Sequence, residues 1–258
     1  MGQNESRRLK ISGRLGLKAR MNLLQSSLAV WPRRGKSLLE VNCGDGHFLS
    51  MLWECGFDVT ATEHDVWLRD RALEHAGFRA EVVAAADDHL PFEGDAFDWV
   101  ILHAAASDLK AFENSLDEAL RVAAGGIAVT FWNSASLPYM LHRFGRGKFW
   151  PWPTYNCFGV WRKLKKYSMG RLTLLSTLSG PVNIWNRRYA GILRQACGHV
   201  MPLGAWCIIR MNIAPSGFVR PLPLRLDNTR FVSPEPLLEC RRANNVIRNN
   251  KSNCPNSK

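Results

Sequence analysis

LLEVNCGDGHFL, residues 38–49, is the stretch that decides the fold of this chain. An apolar run that contains one acid, Glu40, ends at Val41 and breaks into Asn-Cys-Gly-Asp-Gly. Such a run predicts a short buried strand, and the glycines after it let a ligand approach the backbone closely. Because Glu40 and Asp45 disfavour a phosphate, we expect a ligand with positive charge and ribose hydroxyls.

Composition places the chain among globular proteins. It has 258 residues and is 46% hydrophobic, enough for a substantial core. No uncharged apolar run reaches 18 residues and the N-terminus lacks an apolar signal region, so we expect no transmembrane helix and no secretory signal. Seven scattered cysteines without a C-x-x-C pair predict free thiols, a cytoplasmic location and no metal site.

The net charge of +12 is unevenly distributed along the chain. Residues 1–36 hold nine Lys/Arg against one acid, and residues 37–133 hold five Lys/Arg against 18 acids. Residues 134–258 hold 20 Lys/Arg against three acids. An acidic middle between two basic flanks favours a cationic ligand in the middle and an anionic partner at the flanks.

The hydrophobic pattern alternates between strands and helices up to Trp132. The predicted strands are 37–41, 57–62, 80–84, 97–103 and 127–132, and the predicted helices are 14–30, 47–55, 66–76 and 109–122, after a frayed segment 1–13. This alternation predicts an α/β fold, a Rossmann-like doubly wound sheet of about seven mostly parallel strands with helices on both faces. Later apolar pieces near 182–185 and 205–213 flank a predicted helix near 188–197.

The predicted organisation has five parts. They are a basic segment with a cap helix (1–36), a ligand-binding core (37–133), a basic, aromatic insertion (134–180), the last strands of the sheet (181–215) and a basic tail that ends in disorder (216–258).

Acids follow the second and third predicted strands as well as the first. Glu63 lies 17 residues beyond Gly46, where an acid of a nucleotide-binding fold accepts both ribose hydroxyls. Asp87 and Asp88 follow the third strand, where a carboxylate meets an adenine amino group.

Together these stretches resemble a known family. LLEVNCGDGHFL, FDVTATEHD, HLPFEGDAFDWVIL and EALRVAAGGIAVTFW have the order and spacing of class I S-adenosylmethionine-dependent methyltransferases. The similarity covers about residues 36–133 and points to the small-molecule kind called methyltransferase type 11. It implies that S-adenosyl-L-methionine is the cofactor.

The resemblance also implies roles for individual residues. Glu40 corresponds to the acid near the methionine amino group, Glu63 to the ribose acid, and His103 to the strand end where the methyl group is presented. His103 is the candidate catalytic base. The full set of predicted cofactor-binding residues is Glu40, Asn42, Cys43, Gly44, Asp45, Gly46, Glu63, His64, Asp87 and Asp88.

Two positions depart from the family pattern. Asn42 stands where glycine is usual, and asparagine tolerates the left-handed backbone better than most residues. The usual third-strand acid falls at Ala86, so either Asp87 or Asp88 is the candidate for the adenine contact. Cys43 is interpreted as a small apolar filler and not as a nucleophile.

The insertion is the candidate acceptor site. Its aromatic residues are Trp150, Trp152, Tyr155, Phe158 and Trp161, and its basic residues are Arg143, Arg146, Lys148, Arg162, Lys163, Lys165 and Lys166. They favour a small-molecule acceptor that is anionic, aromatic or lipid-like.

Several alternatives remain open. An RNA or DNA methyltransferase suits the basic flanks, although H-A-A-A-S after the fourth strand is not a base-stacking N-P-P-[YF] tetrad. A non-catalytic partner protein that binds the cofactor is a second alternative. A dehydrogenase is disfavoured because Leu49 occupies the third glycine position of G-x-G-x-x-G. Gly2 and Ser6 fit a myristoylation pattern, which allows peripheral membrane contact, and the oligomeric state stays open.

Overall fold

The structure is a computed structural model that describes residues 2–106, 108–144, 150, 152–168, 171–182, 185 and 203–213, with side chains from residue 15 onward. Its helices are Gly2–Leu28 (α1), Leu49–Glu54 (α2), Val66–Ala76 (α3), Leu109–Arg121 (α4), Leu137–Phe144 (α5) and Cys157–Tyr167 (α6). Its strands are Ser37–Val41 (β1), Asp58–Thr62 (β2), Ala80–Val83 (β3), Phe97–His103 (β4), Ala123–Asn133 (β5), Thr154–Tyr155 (β6), Thr173–Thr177 (β7) and Trp206–Asn212 (β8). Within these residues, no helix has the length and apolar character needed to cross a bilayer.

The strands form one mixed sheet in the order β3-β2-β1-β4-β5-β8-β7, with the short β6 beside the end of β5. Strands β1 to β5 run parallel, and β8 is antiparallel to both β5 and β7. The strand order reverses between β1 and β4, and open α/β sheets bind ligands at the carboxyl ends beside such a point. The predicted Rossmann-like doubly wound fold is confirmed.

Helices cover both faces of the sheet because neighbouring strand residues point to opposite sides. Leu38 and Ile101 pack with α1, α2 and α3, whereas Leu39 and Val100 pack with α4 and α6. Glu40 lies two residues after Leu38 and therefore faces the α1–α3 side. His103, Thr130, Trp132 and Trp206 share that side by the same alternation.

The bounds of the elements differ most from the sequence prediction at the N-terminus and after the fifth strand. Helix α1 begins at Gly2, not near Arg14, since residues before Arg14 lack an apolar stripe but include good helix formers. Strand β7 lies at Thr173–Thr177, inside the predicted insertion, whereas Val182 and Trp185 form a turn. The predicted helix 188–197 and the tail 216–258 lie outside the described residues.

Candidate active site

Three of the five residues 42–46, in the loop after β1, have a left-handed backbone conformation with a positive φ angle. The φ angles are 58° at Asn42, 61° at Gly44 and 75° at Gly46. Asn42 therefore adopts the conformation that glycine usually supplies, as predicted. A Cβ on Gly46 would lie 2.8 Å from Ala72 Cα, whereas a Cβ on Gly44 would meet nothing within 4 Å. Gly46 thus permits close packing on α3, and Gly44 faces open space.

Backbone N–H groups of this loop are already used by protein acceptors. Cys43 N donates to Thr62 O at 3.1 Å, Gly44 N to Glu63 Oε2 at 2.8 Å and Gly46 N to Cys43 O at 3.1 Å. A pyrophosphate needs free N–H groups at such a loop. These three N–H groups are therefore not available to a phosphate, and the neighbouring carboxylates attract a cationic ligand instead.

Glu63 lies at the end of β2 and ties the loop to α3. Besides the bond from Gly44, Glu63 Oε1 accepts a hydrogen bond from Asp65 N at 3.0 Å. Burial raises the pKa of Glu63, and these two N–H donors offset part of the rise. A carboxylate offers about four acceptor sites, so Glu63 keeps acceptor capacity for the hydroxyl groups of a ligand.

The pKa values of Asp45 and Cys43 are shifted in opposite directions. Burial raises the pKa of Asp45, but the hydrogen bond and charge of His47, followed by the charges of Arg71 and His75, leave it below its usual value. Burial and the nearby carboxylates raise the pKa of the Cys43 thiol well above its usual value. Asp45 is therefore charged and Cys43 uncharged near neutral pH, which agrees with the interpretation of Cys43 as a filler.

A buried hydrogen-bonded chain crosses the ends of β1, β4 and β5. Glu40 Oε1 lies 2.6 Å from His103 Nε2, and Thr130 Oγ1 lies 2.6 Å from His103 Nδ1. Phe48 stacks on the imidazole with ring centroids 5.4 Å apart. Glu40 is fully buried, and its second oxygen has no hydrogen-bond partner among the described residues. An acceptor-only Glu40 favours the Nε2–H tautomer of His103, with Nδ1 facing the threonine hydroxyl.

The third-strand acids differ in position. Asp87 is half-buried and accepts a hydrogen bond from Asn42 Nδ2 at 2.7 Å, and the same amide donates to His103 O at 3.2 Å. Asp88 and His64 are exposed. Asn42 thus joins the first, third and fourth strand ends, a connection that glycine at this position could not make.

A cavity of about 280 Å³ opens at this edge of the sheet. Its lining includes six predicted site residues: Asn42, Cys43, Gly44, Asp45, Glu63 and His103. The other lining residues are Arg20, His47, Phe48, Leu68, Ala104, Ala105, Thr130, Phe131, Trp132, Trp152 and Trp206. The predicted residues Glu40, Gly46, His64, Asp87 and Asp88 are not part of the lining; Glu40 lies behind His103.

Tryptophans form the wall of the cavity over β5 and β8. Trp132 and Trp152 stack with ring centroids 4.0 Å apart, and Trp185 stacks on the same Trp132 at 6.1 Å. Trp150 packs edge-on against Trp132 and Trp152. We call Trp132, Trp150, Trp152 and Trp185 the tryptophan cluster. Sequence reasoning missed Trp132, although the alternation along β5 places it on the same side as Thr130.

Most other insertion residues lie away from the cavity. Tyr155 packs against Phe112 and Phe131 on the opposite side of the sheet, Phe158 is 58% exposed, and Trp161 packs beside the α4–α6 cluster. None of these three residues lines the cavity, because strand and helix periodicity turns them elsewhere, and a role for them in acceptor binding stays a prediction.

Basic residues of the insertion lie mainly on its surface. Lys163 forms an ion pair with Glu113 of α4, and the exposed members are Arg143, Arg162, Lys165 and Lys166. Arg146 and Lys148 lie outside the described residues. The cation that does line the cavity is Arg20 of α1, which the sequence pattern did not single out.

The residues present fit S-adenosylmethionine. Glu63 retains acceptor sites for the ribose, Asp45 is charged, and the unpaired, buried Glu40 Oε2 is an acceptor without a donor. Gly44 leaves room for close approach of the ligand. Carboxylates beside a loop with three of its N–H groups already bonded match a cofactor that carries a sulfonium and an ammonium. Among the described residues, no group of His, Cys, Asp or Glu is arranged to hold a metal ion.

Comparison with known proteins agrees with this chemistry. Residues 39–130 match the family model described as a methyltransferase domain, type 11. No curated protein sequence is a match.

Solved structures share the fold at low identity. One is a methyltransferase from Thermotoga maritima described as a possible histamine N-methyltransferase (TM-score 0.63, 16% identity, 82% of this chain and 96% of that chain). Another is magnesium protoporphyrin IX methyltransferase from Synechocystis with bound S-adenosylhomocysteine (TM-score 0.58, 13% identity, 82% of this chain and 95% of that chain). A third comes from Aquifex aeolicus (TM-score 0.55, 15% identity, 81% and 98%).

Proposed function

Because this chain carries a class I S-adenosylmethionine-dependent methyltransferase domain, we propose that it methylates a small molecule that is anionic, aromatic or lipid-like. The observation that supports this class of acceptor is that the two sides of the cavity are lined by different kinds of residue. Its β1–β2 side is lined by carboxylates, and its β5–β8 side by tryptophans and one arginine.

The carboxylate side would hold the cofactor. Glu63 accepts the ribose hydroxyls, Gly44 allows close approach, and Asp45 with Glu40 attracts the positive methionine end. His64, Asp87 and Asp88 remain predicted contacts at the adenine end. The bound cofactor supplies a methyl group that its sulfonium has already activated, so positioning accounts for much of the rate.

His103 acts as the base when the acceptor carries a proton. Thr130 Oγ1 takes the proton from the acceptor while its own hydroxyl proton passes to His103 Nδ1, 2.6 Å away. Glu40 then stabilises the imidazolium through its 2.6 Å contact with Nε2. An acceptor that is already deprotonated needs no such step.

An RNA or DNA acceptor is the second candidate. The exposed basic residues of α6 favour it, namely Arg162, Lys165 and Lys166. Against it, the segment H-A-A-A-S that begins at His103 is not the N-P-P-[YF] tetrad that stacks on a target base. We also propose a cytoplasmic location and the five-part domain organisation given above. A non-catalytic partner protein and peripheral membrane contact are further alternatives.

Three measurements test the proposed function and its alternative. Calorimetry should show micromolar binding of S-adenosylhomocysteine and none of NADH, and methyl transfer from labelled S-adenosylmethionine should reach small planar acids. Retention of labelled RNA at 50 and 200 mM salt tests the alternative, since phosphate contacts weaken steeply with salt. Cofactor binding together with methylated RNA and unmethylated small acids would overturn the small-molecule assignment.

A further inference from the structure

Arg20 is a cation inside the aromatic side of the cavity. It reaches over the sheet from α1, and its Cζ lies 5.6 Å from the ring centroid of Trp132, 5.7 Å from Phe48 and 6.0 Å from Trp206. The side chain lines the cavity. Three rings around one guanidinium fix its position through cation–π attraction.

This cation has no anionic partner within the described residues. No carboxylate there lies within ion-pair distance of Arg20, and its buried Nε has no hydrogen-bond acceptor. Burial lowers the pKa of Arg20 to about 10, although the charge of Asp45 opposes that shift. A half-buried guanidinium whose buried Nε has no hydrogen-bond acceptor costs free energy, which an incoming anion would offset.

The position of Arg20 separates it from the ribose end of the cofactor site. Glu63 follows β2, whereas Trp132 ends β5 and Trp206 begins β8, three and four strands away in the sheet. At about 4.8 Å per strand, Trp132 lies on the order of 14 Å across the sheet from the ribose acid. Arg20 is therefore too far from the ribose acid to be a contact of the ribose.

We infer that Arg20 binds a carboxylate of the methyl acceptor, whose planar part lies against Trp132 and Trp152. The inference rests on the proposed function and names the acceptor class as aromatic carboxylates. Arginine suits this task because its planar fork donates two parallel hydrogen bonds to one carboxylate. The acidic segment 37–133 would otherwise repel such an acceptor, so the basic N-terminal segment supplies the cation.

The test is binding of probe acids in the presence of saturating S-adenosylhomocysteine. Benzoate, cinnamate and 1-naphthoate are compared with their neutral amides by tryptophan fluorescence. We expect the wild type to bind at least one acid tenfold more tightly than its amide, and Arg20→Met to lose that preference. Arg20→Lys should keep part of it, and Lys18→Met, which changes an exposed lysine on the same helix, should keep all of it. Circular dichroism checks that each variant is folded.

A second arm distinguishes the acceptor carboxylate from that of the cofactor. S-adenosylhomocysteine and 5′-methylthioadenosine, which lacks the amino-acid part, are titrated into wild type and Arg20→Met. We expect less than threefold change for both. A tenfold loss for S-adenosylhomocysteine alone would assign Arg20 to the cofactor and overturn the inference, as would a wild type without acid preference. Absence of S-adenosylhomocysteine binding in the wild type would instead refute the proposed function.

Discussion

The two sides of the cavity are lined by different kinds of residue. On the β1–β2 side, backbone turns and carboxylates set the geometry, through Asn42, Gly46 and Glu63. On the β5–β8 side, the packed aromatic rings of Trp132, Trp152 and Trp206 set the geometry. Under the proposed function, the carboxylate side holds the cofactor and the aromatic side holds the methyl acceptor.

The largest expected effect on stability is that of a substitution on the aromatic side of the cavity. Trp132 is 6% exposed and contacts three other tryptophans, so Trp132→Ala should cost about 4 kcal/mol of unfolding free energy. Urea titration measures the loss. Trp67→Ala, at a residue 51% exposed on α3, is the matched control and should cost less than about 1 kcal/mol. Equal losses would show that the tryptophan cluster does not stabilise the fold.

The next effect comes from the backbone of the carboxylate side. Gly46→Ala places a Cβ 2.8 Å from Ala72 Cα at a φ of 75°, so about 3 kcal/mol of stability should be lost. Gly44→Ala has the same left-handed backbone but open space, and should cost about 1 kcal/mol. Thermal unfolding of both variants measures the difference. A milder Gly46→Ala than Gly44→Ala would contradict the assigned packing role of Gly46.

The smallest expected effect on stability concerns a carboxylate outside the cavity. Glu118 of α4 accepts hydrogen bonds from Arg121 and from Leu90 N, which hold the segment after β3. The bond to Arg121, chiefly, lowers the pKa of Glu118 from 4.5 to about 2. This stabilisation is present above about pH 4.5 and is lost as the pH falls towards 2.

Glu118→Gln should therefore cost about 1 kcal/mol at pH 7 and nearly nothing at pH 2. Urea titration at several pH values measures the change, with Asp70→Asn, at an exposed carboxylate of α3, as the control. A loss that does not depend on pH would contradict the role given to this carboxylate. Binding of S-adenosylhomocysteine at pH 7 should not change, because Glu118 does not line the cavity.

Sequence reasoning found the carboxylate side and the sheet because local chemistry specifies them. The bounds of β1, β4 and α3 agree with the prediction, and Asn42 takes the left-handed turn expected of it. The aromatic side depends on which distant segments meet. Arg20 of α1 and Trp206 of β8 are 186 positions apart, and no local pattern predicts that they touch. The hydrogen-bonded chain Glu40–His103–Thr130 could not be predicted for the same reason, because it depends on how β4 pairs with β1 and β5.

The most direct test of the two-sided cavity is one set of calorimetric titrations of S-adenosylhomocysteine into wild type, Glu63→Ala and Trp152→Ala. Glu63→Ala should weaken binding at least tenfold, about 1.4 kcal/mol, because it removes the ribose acceptor and leaves two loop N–H groups unpaired. Trp152→Ala should change binding less than threefold. Equal losses in the two variants, or an unchanged affinity in Glu63→Ala, would contradict the assignment of the cofactor to the carboxylate side.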